Sequence, residues 1–143
     1  MEHLLRHYTL DALSVGMTEQ FKMEITEPMM TQFFAITGDC SPIHVNAAYA
    51  AKRGYGGCVV YGMLSASMVS TLAGVYLPGE HCLLHQVNSK FVKPVFVGDT
   101  LTITGKISEI NETFSTITVK FTITNQHGKK VTRGSYTAGL ADA

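Results

Sequence analysis

Between residues 37 and 44 the chain reads Thr37-Gly38-Asp39-Cys40-Ser41-Pro42-Ile43-His44, which sets a carboxylate and an imidazole five residues apart. An imidazole titrates at about pH 6.5, and burial or a neighbouring group can move a carboxylate upward, so such a pair can share acid and base duties on one substrate. A helix stop at Gly38 and the rigid ring of Pro42 would let the segment fold back until Asp39 and His44 converge. The same two residues also suit a structural part, with Asp39 capping the following turn and His44 closing a hydrogen bond in the core. On residue types alone that structural part is the commoner of the two. A second group lies downstream. Gly62 opens an uncharged helical stretch, where free backbone N–H groups and the positive end of the helix dipole can hold a developing oxyanion, such as a thioester carbonyl turning enolate. Ser65, one turn on, has a hydroxyl that can reach the same region. The alternative for Gly62 and Ser65 is close packing of a buried helix on a sheet.

Other residues invite chemistry with less support. His81, Cys82 and His85 have metal-ligand side chains, but they fall at the start of a strand and no further ligand cluster lies nearby in sequence. Cys40, between Asp39 and Ser41, reads as a bystander rather than a nucleophile. Met63 and Met68 read as core filler, although a Met-lined tunnel suits a flexible apolar chain. Lys52, Arg53, Lys90 and Lys93 suit a solvated face, with phosphate contact as the alternative. The chain holds no GxxxxGK[ST] loop, no GxGxxG, no GxSxG and no HExxH, which leaves nucleotide-dependent, dinucleotide-binding and zincin chemistry without support.

The elements that must position these groups follow from the pattern of apolar residues. The 143 residues fit one ordinary domain, expected to span 1–143, and 45% hydrophobic against 15% charged residues excludes a disordered or fibrous chain. Eleven basic residues balance eleven acidic ones, so no basic field favours nucleic acid. Three Cys with no CxxC read as reduced thiols in a cytosolic setting. No secretory leader is visible at the start. Gly54 to Gly79 carries no charge, but its hydroxyls, glycines and bare flanks favour a helix buried on nearly every side over a membrane span.

A strand is expected over Gln20–Ile25, then a helix capped by Thr26, carrying Pro28 in its first turn and ending at Gly38. Asn46 caps a short helix to Lys52, and a Gly-rich loop leads to the uncharged helix, placed at about Tyr61 to Val75. The second half turns to period two. Ile117, Val119, Phe121 and Ile123 alternate with Thr118, Lys120 and Thr122, and Leu101, Ile103 and Ile107 alternate in the same way. Leu83–Val92 and Val131–Ala138 add two further strands. Helices first and an antiparallel sheet afterwards make an α+β pattern, with the uncharged helix filling the sheet.

Three strings, Gly38-Asp39-x-x-Pro42-x-His44, Tyr61-Gly62-Met63-Leu64-Ser65 and Lys93-Pro94-Val95-Phe96-Val97-Gly98-Asp99-Thr100, resemble the MaoC-like dehydratases and, more narrowly, the (R)-specific enoyl-CoA hydratases. The resemblance runs from about residue 15 to residue 140. It implies a hot-dog fold, an antiparallel sheet wrapped around a long central helix. It also implies that Asp39 and His44 are the catalytic pair and jointly hold a water. In that scheme His44 takes the water's proton and Asp39 supplies one to the α-carbon. The Gly62 N–H would bind the thioester carbonyl, and Ser65 would support the site. No metal or other cofactor is implied. The substrate would be an acyl-CoA or acyl-carrier-protein thioester, and the assembly a homodimer. The chain departs from the family's pattern at Ser41, where Asn is usual, and at Tyr61, where His is common. A non-catalytic acyl-binding module is the alternative those departures suggest. A hot-dog thioesterase is disfavoured by the absence of a carboxylate between Tyr61 and Val75.

Overall fold

The computed structural model describes residues 2–141, so of the domain expected over 1–143, Met1, Asp142 and Ala143 lie outside the described residues. Five strands form one antiparallel sheet: β1 (Thr18–Glu24), β2 (Cys82–Phe91), β3 (Thr100–Asn111), β4 (Thr116–Thr124) and β5 (Lys130–Leu140), in the order β1-β3-β4-β5-β2. The alternation in β4 is what commits it. Ile117, Val119, Phe121 and Ile123 all turn inward and are at most 1% exposed, as a period of two requires of a sheet with one dry face. Opposite them, Ile103 pairs with Ile123 across β3–β4, and Val119 with Tyr136 across β4–β5.

Among the described residues, three α-helices precede the helix that fills the sheet. α1 runs Glu27–Thr37, with Pro28 in its first turn, where a missing N–H costs nothing. It ends at Gly38, whose φ of 71° is the left-handed conformation that closes a helix and that glycine adopts freely. α2 (Pro42–Val45) is a single turn begun by Pro42. α3 spans Ala47–Lys52, and its first turn is capped by the Asn46 side chain accepting from the Tyr49 N–H at 3.0 Å.

The central helix, α4, is regular from Gly62 to Thr71 and continues as one wider π-type turn over Leu72–Tyr76. In that turn the Leu77 N–H reaches back to the Leu72 carbonyl. Leu72, Ala73 and Tyr76 are buried against the sheet. Gly105 of β3 makes this approach possible, because a Cβ there would stand 3.0 Å from Leu72 Cδ2 and from Val119 Cγ1. The helix is not enclosed on every side, as the uncharged sequence suggested. Met63, Ser67 and Ser70 recur at helical spacing on an exposed flank, and serines and a methionine tolerate that exposure without a charge. No helix among the described residues is long and apolar enough to cross a membrane.

Candidate active site

The turn after α1 is built by short-range hydrogen bonds. The Thr37 hydroxyl donates to the Phe33 carbonyl at 2.8 Å and accepts from the Asp39 N–H at 3.2 Å, which starts the chain away from the helix axis. Asp39 Oδ1 then accepts from the Ser41 N–H at 3.0 Å and from the Ser41 hydroxyl, an Asx-type turn that delivers the chain to Pro42. Those two donors, the hydroxyl above all, hold the Asp39 carboxyl below the ordinary carboxylate range.

One turn later, His44 Nδ1 lies 2.7 Å from the Val59 carbonyl. A carbonyl can only accept, so Nδ1 carries the proton and Nε2 presents its lone pair. Val59 is itself fixed, by its N–H to the Ile43 carbonyl at 3.0 Å and by a bridge to Phe96. Phe96 is held in turn by the Asp99 carboxylate, which accepts its N–H at 2.9 Å. The imidazole orientation therefore depends on the 93–100 segment that the sequence singled out.

Both readings of this pair describe part of the structure. Asp39 does cap a turn and His44 does close a hydrogen bond, but each spends only one polar atom on it. Asp39 Oδ2 and His44 Nε2 have no protein partner among the described residues, and both residues line one cavity of about 650 Å³. That volume suits a small-molecule or acyl ligand.

Gly62 and Ser65 line the same cavity, so the structure brings together all four residues singled out from sequence. The Tyr61 carbonyl accepts the first intrahelical bonds of α4, from Leu64 and Ser65 N–H at 3.0 and 3.3 Å. The Gly62 and Met63 amides precede that ladder and have no intrahelical acceptor. Gly62 is glycine for a local reason: a Cβ there would stand 2.9 Å from Cδ1 of the Phe91 ring. The Ser65 hydroxyl is buried with no hydrogen-bond partner among the described residues. A buried orphan hydroxyl is unfavourable, and the cavity is where a partner would sit.

Other expectations land elsewhere. Lys93 lines the cavity but Lys52, Arg53 and Lys90 do not, and Arg53 Nη2 donates to the Tyr49 hydroxyl at 2.7 Å. Met63 borders the cavity, whereas Met68 does not and packs against the core. Cys40 is exposed and outside the lining. Of the trio His81, Cys82 and His85, His81 stands 3.9 Å from Glu80, burial pushes the Cys82 thiol up to about 11, and the His85 ring packs on Gly139. Sequence reasoning missed Phe91, Phe33, Tyr55 and the buried Thr132 as cavity wall. Nothing in the sequence marked them: Thr132, for one, lies in β5 among other polar residues, Lys130, Arg133 and Ser135.

The family described as "MaoC like domain" matches residues 13–141. The chain belongs to this MaoC-like family. Over 136 residues it is 31% identical to an (R)-specific enoyl-CoA hydratase of Rhodospirillum rubrum, covering 95% of this chain and 93% of that one. It is 32% identical over 106 residues to a 3-hydroxybutyryl-CoA dehydratase of Methylorubrum extorquens, covering 74% of this chain and 68% of the relative. Among solved structures, an unliganded R-hydratase from Pseudomonas aeruginosa superposes with a TM-score of 0.90 at 27% identity, over 97% of this chain and 89% of that one. The MaoC-like fold with its central helix, the hot-dog fold, is the architecture found here.

Proposed function

We propose that this chain is a hydro-lyase that adds water to trans-2-enoyl thioesters to give (3R)-hydroxyacyl thioesters, or runs the reverse dehydration. The observation that carries the reading is the shared cavity, whose lining includes Asp39, His44, Gly62 and Ser65 together. The hydratase and dehydratase names of its relatives support it. The thioester is carried on CoA or on an acyl carrier protein, and the chemistry needs no metal or redox group because the thioester carbonyl itself accepts the electrons.

In the hydration direction, a water held between Asp39 Oδ2 and His44 Nε2 attacks the β-carbon. His44 Nε2 takes one proton, and the displaced π electrons move onto the thioester oxygen at the Gly62 amide. The enolate then collapses and its α-carbon takes the proton back from the imidazolium, so one water has been added in total. Both new bonds form on one face of the substrate, because one side chain serves both. This division differs from the one the family resemblance implied, in which Asp39 supplies the α-proton. The Ser41 hydrogen bonds stabilise the ionised carboxyl, which makes Asp39 a holder of water and a counter-charge to the imidazolium. The Val59 carbonyl keeps Nδ1 protonated, so the lone pair that works is on Nε2.

We read residues 1–143 as one such domain and the assembly as a homodimer formed along β2. This strand is one edge of the sheet, with Leu83, Leu84, Val87 and Phe91 about half exposed. A long apolar edge of that kind invites pairing with another chain. Three free thiols, Cys40, Cys58 and Cys82, support a reducing, cytosolic location.

The test is hydration of crotonyl-CoA, followed by loss of the conjugated enoyl thioester absorbance, with chiral analysis of the product. Asp39→Asn and His44→Asn each lower kcat by about 10³-fold, the usual scale for a positioned acid or base, while both variants keep thermal stabilisation by ligand. Ligand stabilisation of wild type without turnover on crotonyl-CoA, longer enoyl-CoAs or carrier-protein thioesters would leave an acyl-binding module instead.

A further inference from the structure

Tyr61 is the residue that the scheme above leaves without a part. Its side chain is 2% exposed although it ends in a hydroxyl, and it immediately precedes the helix that carries Gly62. The hydroxyl donates to the main-chain carbonyl of Asp39 at 2.8 Å, a bond across 22 residues of sequence. The ring lies with its centroid 4.4 Å from that of His44 and 4.8 Å from that of Phe33 on α1. Its own carbonyl receives the first two hydrogen bonds of α4. One side chain and its backbone thus touch the turn of Asp39, the imidazole of His44 and the origin of the helix that presents the Gly62 amide. These three pieces come from separate elements, and no other residue described here joins all of them.

Filling of the core is the simpler account, and it explains the ring. It does not explain the oxygen, since phenylalanine would occupy the same space without having to find an acceptor there. Nor does the Asp39 carbonyl need this donor in order for its turn to close, because Ser41 closes it. The hydroxyl instead tethers a turn that is otherwise held only by bonds within itself.

We propose that Tyr61 is a positioning residue, whose hydroxyl fixes the spacing between the Asp39–His44 pair and the Gly62 amide. The purpose of that spacing rests on the hydratase reading, but the tether itself does not. Burial, followed by the nearby Asp39 charge, pushes the Tyr61 phenol up, so it remains a donor. The other titratable groups around this cluster are His44 on α2, Cys40 in the turn, Cys58 ahead of Val59, and Tyr55 and Lys93 on the cavity wall.

The experiment compares wild type with Tyr61→Phe, which removes one oxygen and keeps the ring. The variant lowers kcat for crotonyl-CoA about 10-fold with KM within about twofold, as a sub-ångström displacement should if about 1 Å costs roughly 100-fold. In parallel, carboxyl-¹³C-labelled aspartate followed by NMR reports the Asp39 titration, which moves upward in Tyr61→Phe as the turn presenting the Ser41 donors loosens. In wild type the Tyr61 hydroxyl proton is visible in slow exchange, with cross-peaks to the His44 ring. Equal kcat and an unmoved Asp39 titration would overturn the proposal. So would a loss of kcat matched by a lower folded fraction with Asp39 unmoved, or a freely exchanging hydroxyl in wild type. A wild type that never turns over sinks the hydratase reading, yet the two NMR measurements still decide the tether.

Discussion

Gly62→Ala is the sharpest probe of where the thioester carbonyl binds. The added Cβ would sit 2.9 Å from Phe91 Cδ1 and 3.0 Å from Cε1, whereas carbon atoms in good contact rest about 3.5–4.0 Å apart. The ring must therefore retreat by roughly 0.5–1 Å. It can do so cheaply, since Phe91 is 50% exposed and ends the edge strand β2. Alanine also restricts the unfolded chain, which contributes about 0.4–1 kcal/mol in the opposite sense where the backbone is compatible. The two effects nearly offset, and Tm moves by only a few degrees. Activity does not escape in this way. The methyl and the ring it presses on crowd the amide meant for the carbonyl oxygen, and blocking one oxyanion donor costs about 10²–10³ in rate. We expect kcat/KM for crotonyl-CoA to fall about 100-fold, or about 2.7 kcal/mol of transition-state stabilisation. The double variant Gly62→Ala/Phe91→Ala recovers part of that loss, because the ring no longer crowds the added methyl. A Gly62→Ala enzyme within twofold of wild type would refute the placement of the carbonyl at this helix start. Equal losses in the single and double variants would refute the role given to the ring.

Two further outcomes follow from the same geometry. Ser41→Ala removes the hydroxyl that most lowers the Asp39 pKa while keeping the amide donor at 3.0 Å. Asp39 is a depressed carboxyl, so what its charge contributes is present above the unfolded value and is lost as pH falls through the folded one. In Ser41→Ala that folded value rises towards the ordinary carboxylate range, which carboxyl-¹³C NMR of Asp39 reports; an unmoved titration would show that Ser41 does not tune Asp39. Val87→Glu places a charge on the half-exposed apolar edge of β2 opposite Tyr136 of β5. Burying it between two copies is unfavourable, so sedimentation finds a monomer where wild type is a dimer; a monomeric wild type would remove the dimer proposal.

What could be read in the sequence was local. Thr26, Pro28 and Gly38 bound α1 because caps and turn residues act within a few positions, and β4 was plain because its four inward side chains alternate without a break. Where a strand departs from that period, reading fails. β3 runs on to Asn111 past Ile107, and the register shifts between Ile107 and Glu109, so a simple alternation stops short of its true end. β2 is an edge strand with a shift between Leu84 and Gln86, and its half-exposed apolar residues on both faces give no clean period at all.

The site divides along the same line. Asp39, His44, Gly62 and Ser65 were legible because their chemistry is in their side chains or in the start of an uncharged helix. What fixes them was not, because it lies in contacts closed by the fold: the His44 ring on the Val59 carbonyl, the Phe91 ring on Gly62, and the Tyr61 hydroxyl on Asp39. Tyr61 shows the difference most clearly. In the sequence it was only a departure from a pattern, a Tyr where His is common, and with Ser41 it suggested a non-catalytic acyl-binding module. In the fold the longer side chain reaches the turn at Asp39, so the departure becomes a fastening. A substitution at such a position therefore has to be judged by what the new side chain reaches, and its residue type alone does not reveal that.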